Sequence, residues 1–310
     1  MNFLFSYKPL VEARLEQLLR QKEKELSSVN HWGNDIIQRL LPFVRGGKTI
    51  RGSLLLYAYS LFKKPLLPFV LDVATALELF QSGFLIHDDI MDQDPTRRGR
   101  PAIYKQYERL AGEKGGRDES RFGESMGINA ADLCFFLGFE LLGGLPEKYS
   151  HVVQIVSREF SSVVAAQMQD VSSGHLPIRL TREDILSLYR HKTARYTFSL
   201  PLVVGATLAG AENSTISKLK SLGVTVGLLF QIQDDAFSVS GNSRETGKPV
   251  GSDARNKKQT LAALVSKKEL DSFAAELSHK GKKLISELSL NTMQKSQLAA
   301  LVDFCQNREK

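Results

Sequence analysis

A chain of 310 residues with 42% hydrophobic and 24% charged residues can bury a large core, which excludes a disordered or low-complexity protein. Its net charge of +7, from 41 basic and 34 acidic residues, admits nucleic acid, lipid or an anionic substrate as partner, but no zinc-finger spacing or RNA-binding aromatic signature supports the first. Two distant cysteines, Cys134 and Cys305, exclude a disulfide framework and a thiolate metal site, and point to a reducing cytoplasm.

The opening MNFLFSYKP has no basic stretch ahead of an apolar core, so no signal peptide is expected. Apolar runs such as residues 198–211 contain Pro and Gly and are short, so no transmembrane segment is expected either. The first chemical signature is Gly46-Gly47-Lys48-Thr49-Ile50-Arg51. If a helix begins there, Lys48 and Arg51 share a face. The spacing is not that of a P-loop, which needs a longer spacer and a second glycine before its lysine.

Residues 68–94 read as one long helix, with Phe69, Val73, Ala76, Leu77, Phe80, Phe84 and Asp88 at three-four spacing and Pro95 as its stop. It ends in Asp88-Asp89-Ile90-Met91-Asp92, where Asp88 and Asp92 fall on one face. Like charges at the negative end of a helix dipole cost about 0.3–1 kcal/mol, and a divalent cation would reverse the sign of both effects. Carboxylates suit magnesium, which keeps several waters and bridges protein acids to phosphates. Alone, such a cluster is as consistent with a solvated helix end as with a metal site. Arg97-Arg98-Gly99 follows directly.

Residues 112–123 are polar and Gly-rich and read as a surface loop. Helical patterns resume over 125–142, 150–171 and 181–210, the last with a break near Pro201. Lys192-Thr193 stands just before the largely apolar run 196–209. Residues 214–239 form another long helix carrying Asp234-Asp235 within an apolar run. Lys248 and Lys258 flank the glycine-containing loop beyond it. Two acidic helix ends in apolar surroundings suggest facing walls of one cavity. The fold expected is all-α: one domain over 1–310, a helical bundle around a central cavity.

GGKTIR, DDIMD with RRGRP close behind, AAQMQD, HKTARYTFSLP, FQIQDD and GKPVGSD occur in that order. In this combination the chain resembles the trans-type isoprenyl diphosphate synthase family, the polyprenyl synthetases, from about residue 46 to 260. The resemblance implies condensation of isopentenyl diphosphate with an allylic diphosphate (dimethylallyl, geranyl or farnesyl) to a short-to-medium trans-prenyl diphosphate, with three magnesium ions in each active site of a homodimer. Asp88, Asp89, Asp92, Asp234 and Asp235 then form the metal-binding set, Asp89 in support of Asp88 and Asp92. Lys48, Arg51, Gln81 and Arg98 match the isopentenyl diphosphate site, and Arg97, Lys192, Gln231, Lys248 and Lys258 the allylic one. Thr193 and Gln167 match positions that steady the carbocation, with Asp170 adjacent. Phe80 and Phe84 match the floor that limits product length. Ser238 stands where the family often has a third aspartate, which weakens that wall as a metal site. A class I terpene cyclase and a non-catalytic partner subunit are the alternatives. Lys48, Arg51 and Arg98 speak against the first, the intact first aspartate cluster against the second.

Overall fold

The computed structural model describes residues 2–240 and 259–307. In chain order its helices are α1 (Asn2–Phe5), α2 (Lys8–Ser27), α3 (His31–Arg45), α4 (Ile50–Ser60), α5 (Pro68–Met91), α6 (Ile103–Glu113), α7 (Glu119–Gly143), α8 (His151–His175), α9 (Arg182–Tyr189), α10 (Leu200–Ala209) and α11 (Asn213–Ser240), then α12 (Leu261–Leu264), α13 (Lys267–Ser286) and α14 (Thr292–Gln306). Among the described residues the strands are a two-residue pair, β1 (Thr96–Arg97) and β2 (Arg100–Pro101). The all-α expectation is met.

The chain forms two compact units. One comprises Ser6–Ser53 and Leu67–Glu147, the other Met1–Phe5, Leu54–Leu66 and Lys148–Lys310, so α4 gives its first turn to one and the rest to the other. In the first unit α5 packs along α7, which also packs on α6. Val73, Ala76, Leu77, Phe80, Tyr104, Ala131 and Cys134 are fully buried there. By length and composition α5 and α7 are apolar enough to cross a membrane, but they spend much of that surface on each other.

α5 stops at Met91, short of Pro95. Gln93 enters the left-handed region (φ 53°), Asp94 N–H returns to the Asp89 carbonyl at 2.9 Å and Gln93 N–H to that of Ile90 at 3.3 Å. This is a Schellman ending, and it places Asp92 at the cap, where its own N–H bonds the Asp88 carbonyl at 2.8 Å. The loop expected over 112–123 is shorter than the composition implies. α6 runs to Glu113 and α7 begins at Glu119. Asp118 caps α7 by accepting the Arg121 N–H at 3.2 Å, so a polar, charged first turn is satisfied as helix rather than as loop.

In the second unit α11 lies against the segment Arg190–Ser199, α10, α13 and α14. The break expected near Pro201 occurs upstream of it: residues Arg190–Ser199 are π-helical, closed by a bond from Leu200 N–H to the Arg195 carbonyl, and Pro201 sits in the first turn of α10, where a missing N–H costs nothing. Gly223 and Gly227 of α11 meet this segment backbone to backbone. A Cβ on Gly223 would fall 2.4 Å from Ser199 Cα, and one on Gly227 2.3 Å from Ala194 Cα. The neighbours are main chain and cannot swing aside, so Gly227→Ala should destabilise the protein by about 2–3 kcal/mol in urea unfolding, with no change in helix content. A loss below about 0.5 kcal/mol would mean that the two segments separate freely.

Candidate active site

The groups in the first unit gather around the end of α5. Arg98 and Gly99 form the two-residue turn between β1 and β2, both at positive φ (55° and 73°), the geometry of a type I′ turn. The turn sends Arg97 and Arg98 to different partners. Arg97 lies half-buried against the acid cluster: its Nε donates to Asp89 Oδ1 at 2.6 Å, and its Nη2 bonds the same oxygen while lying 3.7 Å from Asp88 and 3.6 Å from Asp94. Burial pushes the Asp89 carboxyl up to about 6, against the pull of Arg97 and with help from Asp88 and Asp94. Burial also opposes the Arg97 charge, but the three carboxylates hold its pKa above the usual guanidinium value.

Arg98 runs the other way, over the loop between α3 and α4. Its Nη1 donates to the Phe43 carbonyl at 2.6 Å, and its guanidinium lies 5.3 Å from the centre of the Phe43 ring. Gly46 and Gly47 are what admit it. A Cβ on Gly47 would stand 3.1 Å from the Arg98 guanidinium, and one on Gly46 3.0 Å from its Cδ. Lys48 is exposed on this loop and Arg51 is half-buried in the first turn of α4. Glu78 of α5 is buried beneath them: it accepts the Gly52 N–H at 2.8 Å. Burial raises its pKa, while Arg51, the Gly52 N–H and Arg98 pull the other way. Gln81 lies one turn further along α5, half-buried, and Asp88 two turns beyond that. Phe80 is fully buried and Phe84 half-buried on the same helix.

In the second unit Lys192, on the π-helical segment, donates to Asp170 of α8 at 2.5 Å. Asp170 is buried, and Gln167 precedes it by one turn. Thr193 is half-buried beside Lys192. Gly223, Gly227, Gln231 and Asp235 are spaced by fours, so the face of α11 that presses on the π-helical segment continues into Gln231 and Asp235. Asp235 is buried. It accepts hydrogen bonds from the Tyr189 hydroxyl and from the Leu261 N–H (3.1 Å), and the same Leu261 N–H lies 2.9 Å from the Tyr189 oxygen. Burial pushes Asp235 up to about 6, despite hydrogen bonds from Tyr189, Gln231 and Leu261. Asp234 is more accessible. Lys248, Lys258 and the Ser238 side chain lie outside the described residues.

Sequence reasoning missed three residues of these networks. Glu78 had a signal, a lone acid inside the apolar run Val73–Phe80. Asp94 was absorbed into the expected helix end. Tyr189 had none, because its role exists only once Leu261 reaches it.

The polyprenyl synthetase family profile matches residues 32–292. This chain belongs to the polyprenyl synthetase family. The short chain isoprenyl diphosphate synthase of Methanocaldococcus jannaschii is 35% identical over 229 residues, 73% of this chain and 64% of that relative's length. The farnesyl diphosphate synthase of Geobacillus stearothermophilus is 33% identical over 71% of each protein. A crystal structure of geranylgeranyl pyrophosphate synthase from Corynebacterium glutamicum, complexed with isoprenyl diphosphate and magnesium, matches with a TM-score of 0.91 at 27% identity, over 99% of both chains.

The donor set at the end of α5 fits magnesium. Asp88 and Asp92 offer hard oxygens one helical turn apart, both partly exposed, and two carboxylates leave coordination positions for water and phosphate oxygens. Asp89 and Asp235 differ from these: each is buried and already engaged by protein donors. The pKa of Asp235 testifies to a charge held against burial. A carboxyl raised from 3.8 to about 6 in the folded state binds its proton more tightly there than in the unfolded chain. Its ionisation therefore removes stability as pH rises from about 4 to 6, by roughly 2–3 kcal/mol. Asp235→Asn, which keeps the acceptor oxygen, should be more stable than the parent at pH 8, with the advantage shrinking as pH falls through 6 towards 4. Equal pH profiles in thermal melts would show that Asp235 carries no such penalty.

Proposed function

We propose that this protein is a magnesium-dependent isoprenyl diphosphate synthase that joins isopentenyl diphosphate to an allylic diphosphate, yielding a short-to-medium trans-prenyl diphosphate. The observation that carries this reading is the end of α5, where Asp88 and Asp92 stand one turn apart and a type I′ turn delivers Arg97 to the acids and Arg98 to the Gly46-Gly47-Lys48 loop. The family, and relatives that are themselves prenyl diphosphate synthases, support it. They lend nothing to a cyclase or a non-catalytic subunit. The family match runs as one stretch, which supports reading 1–310 as a single synthase domain.

Each group then has a task. Lys48, Arg51, Arg98 and Gln81 hold the isopentenyl diphosphate by charge and hydrogen bonds, so its double bond is presented in line. Arg97, Lys192, Gln231, Lys248 and Lys258 bind the allylic diphosphate and stabilise the negative charge that builds as its C–O bond ionises. Asp88 and Asp92, and Asp234, would hold magnesium, three ions in all, which would supply further positive charge to the same leaving group. Asp89 works through Arg97 and Asp235 through Tyr189, as positioning groups. Thr193 and Gln167 turn oxygen dipoles toward the allylic cation, and Asp170 orients Lys192. The isopentenyl double bond attacks the cation, a new carbon–carbon bond forms, and the released diphosphate takes the proton that is lost. Apolar walls keep water from the cation.

A cytoplasmic homodimer completes the reading. The buried thiols of Cys134 and Cys305 suit a reducing compartment, and the exposed Ile128 (46%), Phe136 (70%) and Phe139 (40%) of α7 offer apolar surface that a second copy would cover. Incubation with labelled isopentenyl diphosphate, magnesium, and in turn dimethylallyl, geranyl and farnesyl diphosphate should give elongated products. EDTA should abolish them, and Asp88→Ala should lower kcat roughly a thousandfold. No incorporation with any of the three starters would sink the proposal.

A further inference from the structure

Helix α4 is capped from another helix. Thr49 holds the position before its first turn, for its carbonyl takes the Ser53 N–H at 3.0 Å. A threonine there ordinarily offers its side-chain oxygen to the N–H two or three residues on. Thr49 is instead left-handed (φ 47°) and buried, and its hydroxyl donates to the Lys48 carbonyl at 2.9 Å. The N–H groups two and three residues on are those of Arg51 and Gly52. The carboxylate of Glu78, midway along α5, accepts both, the Gly52 N–H at 2.8 Å. Gly52 makes the approach possible. A Cβ there would stand 2.9 Å from the Ala74 carbonyl, one turn before Glu78, so a side chain would lift α4 off the acid.

Glu78 also balances charge. Burial holds the Arg98 pKa below the usual guanidinium value; Glu78 is the chief support for its charge, while Arg97 and Arg51 repel it. For Glu78 itself, burial favours the neutral acid, whereas Arg51, Arg98 and the two main-chain donors favour the ion. Two N–H donors at the positive end of a helix, with two guanidinium charges near, are the partners a buried carboxylate requires.

We infer that Glu78 is a positioning residue for the isopentenyl diphosphate clamp, fixing Arg51 and Arg98 before the substrate arrives by capping α4 and offsetting their charge. This rests on the synthase reading above, in which Lys48, Arg51 and Arg98 grip that diphosphate. Cations assembled for one anion repel one another while the anion is away. A carboxylate beneath them keeps the clamp preformed, so less order has to be gained on binding. Glu78 acts through the two arginines and the start of α4, without touching the substrate. Asp88 lies ten residues further along α5, about 15 Å at the helical rise, so the allylic diphosphate is beyond its reach.

The test is steady-state kinetics with each substrate varied in turn, for the parent, Glu78→Ala and Glu78→Gln, with folding checked by circular dichroism. Glu78→Ala removes cap and charge together and should raise the KM for isopentenyl diphosphate at least about tenfold. The KM for the allylic diphosphate should stay close to the parent's. Glu78→Gln keeps the shape and one acceptor oxygen, so it should recover part of the loss, and it carries the test if the alanine variant does not fold. A parent-like KM for isopentenyl diphosphate in every folded variant would overturn the inference. So would equal rises in both KM values, or a fall in kcat alone, because Glu78 would then support the fold in general rather than one clamp. If the parent elongates no starter at all, the synthase reading fails instead, and the parent's own rate tells the two failures apart.

Discussion

The arrangement at the acidic end of α5 depends on one ion pair, Arg97 with the buried Asp89. A guanidinium and a carboxylate out of water each cost several kcal/mol unless they find each other and further partners. Here Arg97 finds Asp89 in contact and Asp88 and Asp94 within 4 Å. That concentration of acids is possible only because the helix has ended: the Schellman turn carries Asp94 back beside Asp89. The pair ties the β1–β2 hairpin to the helix end, and the hairpin's type I′ turn then has only one direction in which to send Arg98. The result is a division of labour between adjacent arginines, one neutralising acids, the other spanning a glycine-lined loop above Glu78. Removing one partner would strand the other charge and release both arms of the hairpin.

In the second unit the organising constraint is steric. Gly223 and Gly227 let α11 approach the π-helical segment closely enough for main chain to touch main chain. Two consequences follow from that single contact. The wide turn of residues Arg190–Ser199 aims Lys192 at Asp170, and the next two positions on the same face of α11, Gln231 and Asp235, arrive where Tyr189 and Leu261 can bind. A π-helical turn is rare because it wastes packing and dispersion contacts, and its survival beside a chemically loaded lysine is a familiar correlate of function. In both units, then, glycine makes the space that a charged side chain fills.

Much of this was legible beforehand, for identifiable reasons. Long helices with strong three-four apolar rhythm, such as α5 and α11, were placed to within a few residues, because periodicity reports the buried face directly. The candidate site residues that announce themselves are those whose type is costly without a ligand: paired aspartates at a helix end, consecutive arginines, a lysine ahead of an apolar run. Less legible were features set by competition between local signals. The 112–123 stretch looks like a loop in composition, yet its second half is helix, because Asp118 caps it and α6 and α7 have a face to bury. The end of α5 was assigned to Pro95, whereas Gln93 ended it earlier by adopting a left-handed conformation.

From its residues alone, this protein's class, its helical architecture and its family follow, since each is written in local periodicity and in short motifs whose order along the chain needs no folding to read. The partners of those motifs were decided only in three dimensions. Nothing in the spacing of Asp89 and Asp92 says that one is locked to Arg97 while the other stays partly exposed, or that Asp235 answers to Tyr189 forty-six residues away. Nor does the sequence near Gly52 mention Glu78. Burial and the approach of a second helix determine which of several identical side chains keep their charge, their water and their freedom, and those are properties of packing, to which a residue's own neighbours in the chain contribute little.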